Sequence, residues 1–78
     1  MRTYSDNKLL KEFGQRVRTL RESSNLSQEH LAELTGLDRT YISSIERGNR
    51  NIGLLNCARI ANALNVDMTE LFIFDPPN

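Results

Sequence analysis

Cysteine occurs once in the 78 residues, at Cys57, so the chain holds neither a disulfide framework nor a Cys-rich zinc site. Cys57 falls on the apolar side of its segment and is expected in the core. The one histidine, His30, has no second His or Cys at ligand spacing, so no metal is expected. Tryptophan is absent, and proline is confined to positions 76 and 77, so nothing upstream interrupts a helix. No alternating apolar–polar run reaches five residues, which leaves no strand signal. No apolar run approaches the roughly 18 residues that a membrane span needs. The N-terminus, Met1 to Lys8, lacks the apolar stretch of a signal peptide. These absences predict a small protein of a reducing cytoplasm, without membrane attachment. Paired carboxylates, a nucleophile with its base and a phosphate-cradling Gly loop are also missing, so neither an enzyme nor a cofactor is expected.

Net charge is absent as well. Ten Lys+Arg balance ten Asp+Glu, which argues against indiscriminate binding to nucleic acid. The balance is uneven along the chain. Residues 1–53 hold nine basic and seven acidic side chains, a net of +2, and residues 54–78 hold Arg59 against Asp67, Glu70 and Asp75, a net of −2.

What is present is helical periodicity within one small domain. Leu9, Phe13, Val17 and Leu20 form one stripe of a helix over about Asn7 to Ser23. Arg16, Arg18 and Arg21 lie off that stripe, either as steering charge or paired with Glu12 and Glu22. Ser27 is placed to cap a second helix with Leu31, Ala32 and Leu34 on its buried face, and Gly36 to stop it. Asp38 caps a third, with Tyr41, Ile42 and Ile45 as its apolar positions, and Gly48 ends it. A fourth runs from about Leu54 to Leu64, with Leu54, Ala58 and Ala61, and Cys57, Ile60 and Leu64, facing inward. Asp67-Met68-Thr69-Glu70 fits a capping box opening a short fifth helix. Residues 75–78 read as a tail. The expected fold is all-α, with five short helices.

Residues 27–48 rise above that background. Two short helices meet across Gly36-Leu37-Asp38, where Gly36 takes the sharp turn and Leu37 plugs the corner. Such a corner is the helix-turn-helix signature, in which the second helix enters the DNA major groove. With Ile42 and Ile45 inward, Arg39, Thr40, Ser43, Ser44 and Arg47 face largely outward. Arg can bond the O6 and N7 of guanine with both arms of its fork, and Thr can touch the methyl of thymine. Glu46 is expected to serve the fold, in an ion pair or hydrogen bond that steadies the turn.

The run from Ser27 to Gly48 resembles the Cro/phage-repressor helix-turn-helix family. Gln28, Leu31-Ala32, Gly36, Ile42-Ser43, Ile45-Glu46 and Gly48 match at fixed spacing. The resemblance extends over about residues 8–72, and Leu37 to Asn51 looks most like the controller proteins of restriction–modification systems. It implies a lambda-repressor-like domain that binds an operator as a homodimer and regulates its own gene, with no small-molecule ligand. It further implies that Arg39, Thr40, Tyr41 and Ser44 read bases. Gln28, Ser43, Arg47, Asn49, Arg50 and Asn51 would hold the DNA backbone. Gly53 stands where the family usually has a Ser or Thr cap. Leu71, Phe72, Ile73 and Phe74, within a dimerisation region of about 66–75, would form the subunit contact. Activation would require RNA polymerase as a further partner, and no acidic patch is assignable to it from sequence. Three other readings stay open: a phage-type repressor, the antitoxin of a toxin–antitoxin pair, and a protein-interaction module that does not bind DNA.

Overall fold

The computed structural model describes residues 3–74. Arg2 and the expected tail at 75–78 lie outside the described residues. Four α-helices and one 3-10 helix follow in order: α1 (Asp6–Ser23), α2 (Gln28–Thr35), α3 (Arg39–Glu46), α4 (Leu54–Leu64) and the 3-10 helix (Met68–Phe72). No strand occurs among the described residues.

Local chemistry sets the boundaries. The Ser5 hydroxyl accepts from the Lys8 N–H at 3.3 Å, which starts α1 one residue earlier than its apolar stripe implies. Ser27 caps α2 through the His30 N–H at 3.0 Å, and Asp38 caps α3 through the Thr40 N–H at 2.8 Å. Gly36 ends α2 at φ 74°, in the left-handed region that only Gly enters without strain. Gly53 precedes α4 and supplies no side-chain cap.

The fifth element departs from expectation. It is a 3-10 helix, and the Asp67 side chain makes no capping bond. The box fails because its other half is engaged elsewhere: the Glu70 carboxylate meets Arg16 of α1 at 3.4 Å, and the Arg16 Nε–H donates to the Glu70 carbonyl at 2.7 Å. This pins the C-terminal turn onto α1.

Phe13, Val17, Leu31, Ala32, Ile42, Ile45, Cys57, Ile60, Ala61, Leu64 and Leu71 form one core. Helix α1 packs on α3, α2 on both α3 and α4, and the 3-10 helix on α1 and α4. Cys57 is buried as expected, and burial pushes its thiol pKa up. Three expected core positions are exposed, and Leu20, Tyr41 and Ala58 are half-buried. Leu54 is 72% exposed, because it sits at the open N-terminal end of α4, where no helix covers it. Leu34 is 53% exposed at the last turn of α2, and Leu9 lies at the rim.

Helices α1 and α3 meet at Gly14. A Cβ there would run into the carbonyl oxygen of Ile45 and lie 2.9 Å from that of Glu46. This close approach draws the C-terminal end of α3 onto α1 and fixes the angle at which α3 is presented.

Candidate nucleic-acid interface

Beside the Gly14 contact lies a buried ion pair. The Arg21 Nε–H and Nη2–H donate to the two Glu46 carboxylate oxygens at 2.7 and 3.0 Å, and Nη1–H donates to the Leu26 carbonyl at 2.7 Å. The Glu46 side chain is only 3% exposed. Both charges are therefore removed from the surface, and the hydrogen bond to Glu46 raises the Arg21 pKa further from neutrality. Glu46 thus steadies the fold, as its sequence position suggests. Its partner is not legible in the sequence: Arg21 turns inward and pairs across 25 positions, while Arg18 makes a helical pair, with Glu22 at 3.4 Å.

This pair also organises the corner. The Gln28 Nε2–H donates to a Glu46 carboxylate oxygen at 3.1 Å, tying the first turn of α2 to the last turn of α3. This bond uses one of the two Gln28 amide hydrogens. The Thr35 hydroxyl closes the other end of α2, donating to the Leu31 carbonyl at 2.8 Å and accepting from the Leu37 N–H at 3.2 Å. Leu37 packs against the core beneath the turn.

The outward surface of α3 then falls into two parts. Arg39 and Thr40 are exposed at its leading end, joined by Arg47, Asn49, Arg50 and Asn51 beyond its other end. Ser43 and Ser44 are half-buried, and the Ser44 hydroxyl donates to the Thr40 carbonyl at 2.9 Å, which leaves its oxygen as an acceptor. Tyr41 is held from two sides. Its hydroxyl accepts from the Asn56 Nδ2–H at 3.1 Å, and the Arg50 guanidinium lies 5.1 Å from the ring centroid. Asn56 in turn accepts from Arg59 at 2.8 Å. Tyr41 therefore links α3 to α4 and places Arg50. Neither Asn56 nor Arg59 was a sequence candidate; an Asn and an Arg three positions apart carry no signal until the Tyr41 hydroxyl is known to point at them.

With Glu46 neutralised inside, the exposed charge on this side is mostly Arg39, Arg47 and Arg50. The hydrogen bond from Thr40 holds the Asp38 carboxyl below its ordinary 3.8. Glu29 in the first turn of α2 is the other nearby acid, 4.0 Å from the Arg39 Nε.

On another face, Tyr4, Leu9, Phe72 and Ile73 are each between 38 and 52% exposed. Phe72 packs on Phe13 and Phe74, and Tyr4 packs edge-on against Phe74. Leu71 belongs elsewhere: it is fully buried beneath this patch and offers no surface to a partner. Of the four expected contact residues, Phe72 and Ile73 are exposed and Phe74 is half-buried.

Among the described residues, no group of three or more His, Cys, Asp and Glu could hold a metal ion. Among the same residues, no helix is long and apolar enough to cross a membrane.

Comparison with known proteins places this arrangement. A helix-turn-helix family model (HTH_3) matches residues 17–71. The control protein C.BamHI of Bacillus amyloliquefaciens is 54% identical over 63 residues, covering 80% of this chain and 78% of its own length. The crystal structure of the restriction–modification controller protein C.AhdI from Aeromonas hydrophila superposes with a TM-score of 0.80 at 52% identity, over 81% of this chain and 96% of that one. The controller protein C.Esp1396I, solved as a tetramer with its natural 35 base-pair operator, gives a TM-score of 0.76 at 36% identity, over 82% and 84% of the two chains.

Proposed function

This chain belongs to the helix-turn-helix family, within the group of restriction–modification control proteins, and from that we propose a homodimeric regulator that reads a roughly palindromic operator and controls its own promoter. The observation that carries the reading is the leading end of α3. There Arg39 and Thr40 stand exposed on a helix whose angle is set by Gly14 and by the Arg21–Glu46–Gln28 bonds. Arg39 is assigned to a guanine edge and Thr40 to a neighbouring base. Gln28, Arg47, Asn49, Arg50 and Asn51 flank them and are assigned to phosphates, as is Ser43. Tyr41 acts in this scheme by holding Arg50, and Ser44 by accepting from a base.

Zero net charge makes sequence-independent binding weak, so specificity must come from placed contacts repeated in two half-sites. A two-fold dimer joined through Phe72, Ile73 and Phe74 supplies the repeat, with half-sites about 34 Å apart. The tetramer of C.Esp1396I on its natural 35 base-pair operator supports two such dimers on one operator. Occupancy then rises steeply with protein concentration, and no small-molecule signal is needed. In this scheme the protein works in the cytoplasm, and activation requires contact with RNA polymerase. The reading without DNA requires an acidic surface at 39–51, whereas that stretch exposes three arginines.

The test is a fluorescence-anisotropy titration on DNA from just upstream of its own gene, against scrambled competitor at two salt concentrations. The reading expects competitor-resistant binding in the range of about 10⁻⁸–10⁻¹¹ M with two protomers per palindromic site, and four where the operator holds two such sites. Equal, weak binding to both DNAs contradicts it.

A further inference from the structure

Beside the recognition helix, Glu29 is an acidic side chain that neither the core nor a helix cap uses, and it lies against an arginine of that helix. Glu46 is buried against Arg21, and Asp38 is engaged by the Thr40 N–H. Glu29 is different: its side chain is 73% exposed, and its carboxylate lies 4.0 Å from the Nε of Arg39, itself 62% exposed. A pair this open adds little to folding, because water screens it and two long side chains must be ordered. Its position on the DNA-facing side gives it a use in binding. Resting on the proposed role of Arg39, we propose that Glu29 is a specificity-determining positioning residue, which holds the guanidinium for a guanine edge and against a phosphate.

The argument is geometric and electrostatic. A carboxylate on the Nε side leaves the far edge of the guanidinium, with one hydrogen from each Nη, available to a base. That edge matches the O6 and N7 acceptors of guanine. A guanine is neutral, so Arg39 can bond it without leaving Glu29. A phosphate is anionic and is repelled by the carboxylate, and the charge Arg39 brings to it is partly cancelled while Glu29 stays beside the guanidinium. Sequence-independent binding grows with the number of phosphates neutralised. Glu29 therefore weakens binding to DNA at large more than binding to the operator. The predicted loss on its removal is one of discrimination.

Four proteins test this: wild type, Glu29→Gln, Arg39→Ala and the double variant, each titrated on the operator and on scrambled DNA at several salt concentrations. Glu29→Gln should tighten binding to scrambled DNA and lower the operator-to-scrambled ratio by about fivefold per dimer. The salt slope on scrambled DNA should steepen by about two, one new phosphate contact per protomer. In the Arg39→Ala background the same substitution should leave ratio and slope unchanged. Thermal unfolding of Glu29→Gln should match wild type. An unchanged ratio for Glu29→Gln overturns the proposal. So does an equal fall in the Arg39→Ala background, which would mean direct repulsion of the backbone by Glu29. Wild-type protein that binds both DNAs equally overturns the reading beneath it, and the proposal with it.

Discussion

Replacing Glu46 by Ala removes the acceptor for two bonds from Arg21 and one from Gln28, and leaves the Arg21 guanidinium in a site that exposes 11% of its side chain. The cost is dominated by the stranded cation. Removing one partner of a buried pair destabilises by about 3–5 kcal/mol. The whole fold, at about 0.05–0.15 kcal/mol per residue, is worth about 4–12 kcal/mol. Glu46→Ala therefore consumes much or all of the stability, although residue 46 ends the very helix proposed to face DNA. With a urea slope near ~1 kcal/mol per M, the unfolding midpoint should fall by about 3 M, or the chain should be unfolded without denaturant. The double variant Arg21→Met/Glu46→Leu removes both charges and should recover most of the loss, since apolar replacement of a buried pair is often neutral or stabilising. Urea titrations followed by circular dichroism compare wild type, Glu46→Ala and the double variant. A loss below about 1 kcal/mol for Glu46→Ala, or a double variant no better than the single, would refute the reasoning, because it would show Arg21 turning out to water at no cost.

Further perturbations probe the other elements. Gly14→Ala should destabilise by about 1–3 kcal/mol or more in the same urea assay, despite Ala being the better helix former, because its methyl meets the α3 backbone. The Asp38 cap depends on an ionised carboxylate whose folded pKa is depressed. Its contribution is present above the ordinary 3.8 and is lost as pH falls through the lower folded value. Melting curves from neutral pH downward should show that loss in wild type and not in Asp38→Asn, which keeps an acceptor without a titration. Ile73→Lys, at a half-exposed position of the aromatic patch, should leave the monomer folded and weaken self-association measured by sedimentation.

The parts of this molecule that were legible in the sequence are those fixed by neighbours in the chain. Ser27, Gly36 and Asp38 each act within four residues of their own position, and the boundaries of α2 and α3 follow from them. Glu46 could be assigned to the fold because it falls one turn after Ile42, on the buried face. That its partner is Arg21 could not be read, since a pairing across 25 positions depends on how α1 crosses α3. The same crossing gives Gly14 its role, which in sequence is only a weak helix residue. The fifth helix was misjudged for a related reason: Asp67 and Glu70 have capping-box spacing, but Arg16 competes for Glu70 from another helix. Leu54 and Leu34 have core periodicity and stay exposed, because periodicity identifies a face and says nothing of whether a neighbour reaches its ends. At the interface, exposure of Arg39 and Thr40 was legible, whereas the bonds that hold Tyr41 to Asn56 and Arg50 were not.

The central claim is that the leading end of α3 reads sequence, and Arg39→Ala tests it most directly. Wild type and variant are titrated on the operator and on a set of operators altered symmetrically at one base pair per half-site. The account predicts a loss of about 1–3 kcal/mol per half-site for Arg39→Ala, together with indifference to substitution of one guanine that wild type requires. A variant that keeps wild-type affinity, or that loses affinity equally on every sequence, would contradict it.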